Sequence, residues 1–210
     1  LLASMMREDG VNDTLKAWDW RFYAERRRLK EYDLDEEGVK PFFQLDNLIN
    51  ATFKCAAKLF GLEFSPLDIP LYHEDCRAWT VSRKGKSIAV FIGDYFSRPS
   101  KRSGAWCSAM RSQAKFPNEQ IPIVLNVCNF SRLDNAVLSF EDARTLFHEF
   151  GHALHQILSD VTYDIISGTS VARDFVELPS QLFEHWLEVP EVLTEYACLL
   201  YTSPSPRDNT

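Results

Sequence analysis

The chain has 210 residues, of which 45% are hydrophobic and 25% are charged, and its formal net charge is −7. This composition is typical of a globular protein, and the negative charge argues against general nucleic-acid binding, which usually needs a basic surface. No apolar run reaches the roughly 18 residues that cross a bilayer, so we expect no membrane partner. The five cysteines are widely spaced and form no C-x-x-C pair, which indicates a reducing, cytoplasmic location.

The first part of the chain has the periodicity of helices. Apolar residues spaced at about 3.6 positions predict a helix over 12–32, and a second helix is predicted over 45–60, where Gly61 ends it. Pro41 interrupts the pattern between them. We therefore assign residues 12–60 to helices.

The period then changes to that of a small sheet. Within residues 76–128, two apolar segments flank a turn at Lys84-Gly85-Lys86, and residues 121–130 form a third, β-branched segment. Helical spacing returns over 139–197. The order of helices, a small sheet and more helices predicts a mainly α fold of the α+β class.

One of the later helices carries a possible metal site. Ser139 and Asp142 have the spacing of a capping box, which predicts the start of the helix. Inside it, His148 and His152 stand four residues apart and away from the apolar face, with Glu149 between them, in an H-E-x-x-H motif. Two such imidazoles can bind one Zn²⁺ ion, and the glutamate is placed to act as a general base.

A catalytic zinc needs a third protein ligand. The extended motif with a third histidine is excluded, because His155 and Leu158 stand where that motif requires Gly and His. A carboxylate further along the chain must therefore serve. The candidates are Asp160, Asp164, Asp174, Glu177 and Glu184. Glu177 is favoured because apolar neighbours surround it, and Glu184 and Asp174 stay open as alternatives.

Residues 171–186 are predicted to form another helix, with a kink at Pro179. Helical spacing places four residues on one face of it: Glu177, Ser180, Gln181 and Glu184. A side chain beside the metal ligands can orient an imidazole through a hydrogen bond. The candidates for that role are Gln181, Glu184 and His155.

These segments together resemble one known family. TLFHEFGHALH and SGTSVARDFVELPSQLFEHW are similar to parts of the M3 family of zinc oligopeptidases, and so are WDWRFYAERRR, FIGDYFSRPSKRSGAW and IPIVLNVCNFSR. The resemblance covers nearly all of residues 10–197 and ends near Cys198. We therefore interpret residues 1–197 as part of an M3-like catalytic domain, and residues 198–210 as a tail outside the family that is disordered or artefactual.

The resemblance implies a role for each site residue. By position, His148, His152 and Glu177 would bind one Zn²⁺ per chain, and Glu149 would be the general base. It also implies a helical, zincin-type catalytic domain, incomplete here, with a small sheet beside the active-site helix. An edge strand of that sheet would pair with an extended peptide. We expect this strand at Val90, Phe91, Ile92, Gly93 and Asp94.

Within the family, the segment SGTSVARDFVELPSQ is most similar to the peptidyl-dipeptidases, which release dipeptides from the C-terminus of short unstructured peptides. An endo-acting oligopeptidase, or a chain that only binds zinc or peptide, stays open as an alternative. Family members carry a Gly-rich loop with Tyr and His that stabilises the oxyanion, and no such segment lies between Glu177 and Thr210. We expect this chain alone to be weakly active or inactive, and the full-length protein to be a monomer.

Overall fold

The computed structural model describes residues 2–32, 42–132 and 136–196. The chain divides into two units, Leu1–Val39 and Lys40–Thr210. The predicted interruption at Pro41 and the predicted tail at 198–210 lie outside the described residues. Among the helices of the described part, none is long and apolar enough to cross a membrane.

The first unit contains two helices, α1 (Leu2–Glu8) and α2 (Ala17–Tyr32). The second helix begins at Ala17, so residues 12–16 of the predicted helix are not helical. Met6 and Tyr23 are buried.

The second unit has an α+β fold, as predicted. Its elements, in chain order, are α3 (Leu45–Phe60), β1 (Leu62–Pro66), β2 (Arg77–Arg83), β3 (Lys86–Phe96), β4 (Trp106–Arg111), β5 (Ile123–Phe130), α4 (Phe140–Ile157), α5 (Arg173–Val176), α6 (Leu178–Glu184) and α7 (Pro190–Tyr196). The predicted end of α3 is confirmed, because Gly61 adopts φ 68° and its N–H donates to the Ala57 carbonyl.

The five strands form one sheet in the order β1-β2-β3-β5-β4. Strands β3 and β5 are parallel, and the other neighbours are antiparallel. The predicted hairpin around Gly85 is confirmed as β2 and β3. The sequence did not predict β1 or β4, because β1 is short and ends in Pro66, and β4 (WCSAMR) has no β-branched residue.

The prediction that residues 90–94 form an edge strand is wrong. They lie in β3, which is hydrogen-bonded to β2 on one side and to β5 on the other. Strand β5 follows β4 in the chain but inserts between β3 and β4, so the edges of the sheet are β1 and β4. An interior strand has no free backbone groups with which a peptide could pair.

Aromatic side chains hold α4 across the sheet. Phe150 of α4 lies edge-on to Phe91 of β3, with ring centroids 5.4 Å apart. Phe53 of α3 stacks on Phe64 of β1 at 4.1 Å and contacts Phe150 at 5.7 Å. Because the apolar face of α4 is buried here, its opposite, histidine-bearing face points away from this core.

The ends of the site helices follow from local chemistry. At the start of α4 the predicted capping box is present: the Ser139 side chain accepts the N–H of Asp142, and the Asp142 carboxylate accepts the N–H of Ser139. The predicted helix over 171–186 is broken at Glu177, between α5 and α6, two residues before the predicted kink at Pro179. Pro179 lies in the first turn of α6, where a missing N–H costs little.

Candidate active site

Two histidines of α4 and one glutamate converge at a single point. The Nε2 atoms of His148 and His152 lie 3.2 Å and 3.1 Å from Oε2 of Glu177. The three ligand atoms all lie within 4.8 Å of one another. Glu177 reaches them from the junction between α5 and α6, where the helix break turns its side chain toward α4.

This donor set fits a tetrahedral zinc site. Ligand atoms about 2.1 Å from one ion at tetrahedral angles are about 3.4 Å apart, close to the two histidine–glutamate distances. Two imidazoles and one carboxylate leave a fourth position for water or substrate, as in catalytic rather than structural zinc sites. Burial lowers the pKa of His152 against the opposing charge of Glu177, and this favours the neutral imidazole that binds a metal.

Glu184 of α6 fixes the orientation of His148. The Nδ1 atom of His148 lies 2.6 Å from Oε1 of Glu184, and Arg144 Nε donates to Oε2 of the same carboxylate at 2.6 Å. Against the raising effect of burial, these hydrogen bonds hold the pKa of Glu184 below its ordinary value. The ionised carboxylate keeps the proton on Nδ1, which leaves the lone pair of Nε2 directed at the ligand cluster.

Close contact between α4 and α6 brings Glu177 to the histidines. Gly151 of α4 lies at this contact. A Cβ atom at this position would lie 2.6 Å from the Ser180 Cα atom, which is too close for a side chain to fit. The buried Ser180 hydroxyl bonds both the carbonyl of Glu177 (2.7 Å) and its Oε2 atom (3.1 Å). Small residues at this crossing therefore set the position of the third ligand.

Glu149 lies beside the histidine pair on the side of the sheet. It is buried, and with His148 and Ala105 it lines a cleft of about 350 Å³. Burial, opposed by the charge of His148 and reinforced by that of Glu177, raises the pKa of Glu149 to about 7. A carboxyl group with this pKa can take up and release a proton near neutral pH.

The other predicted site residues lie outside the ligand cluster. Of the five candidate third ligands, the cluster found among the described residues contains Glu177; Asp160 pairs instead with Lys115 at 2.7 Å. Gln181 is exposed, and its backbone N–H donates to the Glu177 carbonyl. His155 stands one turn beyond His152 with its ring against Phe175. Of the three residues predicted to orient an imidazole, Glu184 is the one whose side chain bonds a ligand histidine, His148.

Sequence reasoning assigned no role to three residues of this region. Arg144 and Ser180 act through contacts between α4 and α6, and no local pattern reveals such contacts. Asn126 of β5 is fully buried, and neither its Oδ1 nor its Nδ2 atom has a partner among the described residues. Its signal in the sequence is an amide that alternates onto the same face as apolar residues in IPIVLNVCNF.

An H-E-x-x-H helix joined by a carboxylate from a following helix is the arrangement of a metallopeptidase. The sequence matches the profile of Peptidase family M3 over residues 1–203, past the predicted boundary at Cys198, and the chain belongs to this family.

Two groups of relatives are similar to the chain. It is 44% identical over 186 residues to dipeptidyl carboxypeptidase of Escherichia coli (strain K12), covering 86% of this chain and 27% of that protein. Identity to the dipeptidyl carboxypeptidase of Salmonella typhimurium (strain LT2) is 45% over 190 residues, with coverage of 88% and 28%. Identity to oligopeptidase A of Escherichia coli (strain K12) is 32% over 201 residues, with coverage of 92% and 29%. The chain spans less than a third of the length of these relatives.

Proposed function

We propose that this chain carries the zinc-binding and general-base part of a peptidase that acts on short unstructured peptides. The observation that supports this proposal is the convergence of His148, His152 and Glu177 in one ligand cluster, of which His148 lines a cleft together with buried Glu149. When bound, Zn²⁺ supplies Lewis acidity that makes water a nucleophile near neutral pH. Four described cysteines are free thiols, which is compatible with a cytoplasmic protein.

Each residue of the site has a separate proposed role. His148, His152 and Glu177 would hold the ion, and Glu184 keeps His148 in the binding tautomer. Glu149 takes a proton from the attacking water and returns it to the leaving amine. Its buried position and raised pKa suit both transfers.

We place the extended substrate along β4, in place of the interior strand first predicted. Strand β4 is an edge of the sheet and packs beside α4. Ala105, which precedes it, lines the cleft that also contains His148 and Glu149. A peptide that adds to this edge would pass the reacting groups with its backbone held by hydrogen bonds.

We infer release of C-terminal dipeptides as the mode of cleavage, because identity is higher to proteins named dipeptidyl carboxypeptidase than to oligopeptidase A. Turnover by this chain alone is expected to be slow, so hydrolysis is measured with enzyme in excess over peptide. Mass spectrometry of the products separates the alternatives: dipeptides support the exo mode, and internal cuts support an endo-acting oligopeptidase.

Zinc content and hydrolysis together test the proposal. The dialysed chain should hold one zinc, and Glu177→Ala should lose it. Glu149→Gln should keep the zinc but lower the hydrolysis rate by at least about 10²-fold. Exposed Glu191→Gln, in the first turn of α7 and outside the cleft, is the matched control and should change neither. A folded chain without zinc would refute the ligand assignment.

A further inference from the structure

Asn126 stands out among the polar groups of the second unit. It lies in the middle of β5 with no exposed surface, and both polar atoms of its side chain lack a partner among the described residues. A buried amide is nearly always hydrogen-bonded, because leaving it unpaired weakens the fold. The presence of an unpaired, buried amide in a folded protein therefore indicates either a functional role or a bridging water.

Two independent contacts show that the Asn126 side chain faces α4. Its partner in the register on β4 is Cys107, whose Sγ atom accepts a hydrogen bond from Gln156 of α4 at 3.1 Å. Val124, two residues earlier on β5, pairs with Phe91, whose ring contacts α4. Directly opposed residues, and residues two apart on one strand, share a face of the sheet.

Glu149 lies on the same side of α4, since it precedes Gln156 by two helical turns. Its Oε2 atom is buried and, like the atoms of Asn126, lacks a partner among the described residues. Burial first, and the charge of Glu149 second, raise the pKa values of the Cys107 and Cys128 thiols. Ala105, two residues before Cys107, lines the same cleft as Glu149, and Cys107 is opposite Asn126 in the register, so the Glu149 side chain lies beside this part of the sheet.

We propose that Asn126 is a positioning residue for Glu149, which it holds through one buried water. The inference rests on the proposed function, in which Glu149 is the general base. An amide suits this task because its Nδ2 atom can donate a hydrogen bond to the bridging water and its Oδ1 atom can accept one from it. The water can in turn donate to the Glu149 carboxylate, and this fixes the position of the base.

The first test is a double-mutant cycle in urea unfolding of the metal-free chain. Asn126→Leu should lower the unfolding midpoint when Glu149 is present, because it leaves the carboxylate unpaired. In the Glu149→Leu background the same change should raise the midpoint, because two apolar groups replace two polar ones. If Glu149→Leu does not fold, Glu149→Met takes its place. Equal shifts in both backgrounds would overturn the proposal. The control, Cys55→Ala at a buried position of α3, should shift both backgrounds equally.

The second test is hydrolysis by the zinc-loaded chain with enzyme in excess. Asn126→Leu should lower the maximal rate about tenfold or more at unchanged peptide affinity and zinc content, and Asn126→Ser should recover part of it. Cys55→Ala should keep the full rate. An unchanged rate in Asn126→Leu would overturn the role in turnover. If the folded, unsubstituted chain binds no zinc, the proposed function fails, while the unfolding cycle still decides whether Asn126 holds Glu149.

Discussion

His148 shows how single contacts prepare a metal ligand. Its Nδ1 atom is engaged by Glu184, its Nε2 atom faces Glu177, and its ring lies 4.8 Å from that of His152 at 85°. Arg144 in turn holds the second oxygen of Glu184. Apart from the ring contact between the two histidines, these contacts cross from α4 to the segment that follows it, so the ligand geometry depends on the packing of α6.

Replacement of Glu184 should weaken metal binding without removing a ligand. Glu184→Gln removes the negative charge that keeps the proton on His148 Nδ1, so we expect zinc affinity to fall about 10- to 100-fold. Competition with a chromophoric chelator measures this. Glu191→Gln, an exposed carboxylate in the first turn of α7, is the matched control. Equal affinities of Glu184→Gln and the unsubstituted chain would contradict the orienting role.

Which site residues the sequence could predict depends on the range of their contacts. His148, Glu149 and His152 follow from spacing within one helix. Glu177 was favoured by its apolar neighbours and was chosen through the family resemblance. Ser180 and Asn126 could not be assigned roles, because these depend on how α6 and β5 pack against α4.

At the scale of elements, a buried ion cluster ties the loop before β4 to the sheet. Asp94 at the end of β3 has a side chain only 1% exposed and accepts two bonds from Arg98, at 2.8 and 2.7 Å. Lys101 donates to Asp94 and to the carbonyls of Phe96 and Cys128. These bonds fix residues 97–101, which lead toward the edge strand.

This cluster predicts an acid-sensitive contribution to stability. Against the raising effect of burial, bonds from Arg98, Tyr72 and Lys101 lower the pKa of Asp94 from 3.8 to about 2. Because the folded pKa is depressed, the contribution is complete above about pH 4 and is lost as the pH falls toward 2; it amounts to about 2 kcal/mol. Asp94→Asn should therefore lower the unfolding free energy at pH 7 and flatten its decline between pH 4 and 2. The control, exposed Asp68→Asn, should show the same decline in unfolding free energy as the unsubstituted chain. The same decline in Asp94→Asn would contradict the prediction.

The contact between α4 and α6 predicts the effect of one added methyl group. In Gly151→Ala the new Cβ would lie 2.6 Å from the Ser180 Cα atom and 2.9 Å from the Phe183 Cβ atom. The helices must separate, so we expect a loss of about 1–3 kcal/mol in unfolding free energy. Zinc affinity should fall as well, because Glu177 moves with α6. Glu141→Ala, exposed on the same helix, is the control; a stable Gly151→Ala variant with unchanged zinc affinity would contradict the prediction.

The order of the strands in the sheet could not be predicted from the sequence. The hairpin of β2 and β3 was predicted because its turn and its two strands are contiguous in sequence. The edge position was assigned wrongly because β5 pairs with β3 out of chain order, through parallel contacts such as Phe91 with Val124. Strand order depends on long-range pairing, and local periodicity carries no information about it.

At the scale of the second unit, the ligand cluster links two layers of the fold. The helix that provides His148 and His152 is held against the sheet by its aromatic face, whereas Glu177 belongs to the α5–α6 segment. An ion bound by all three residues would bind the folded chain and not the unfolded one, so metal binding and folding are linked.

This linkage predicts that zinc stabilises the chain through Glu177. At free zinc about 100 times the dissociation constant, the unfolding free energy should rise by about 2.7 kcal/mol, and a chelator should reverse the rise. Urea unfolding with and without zinc measures the effect. Glu177→Ala should lose most of the response, whereas Asp174→Ala, which removes an exposed carboxylate three residues earlier, should keep it. An equal response in both variants would place the ion elsewhere, and loss in Asp174→Ala alone would make Asp174 the third ligand.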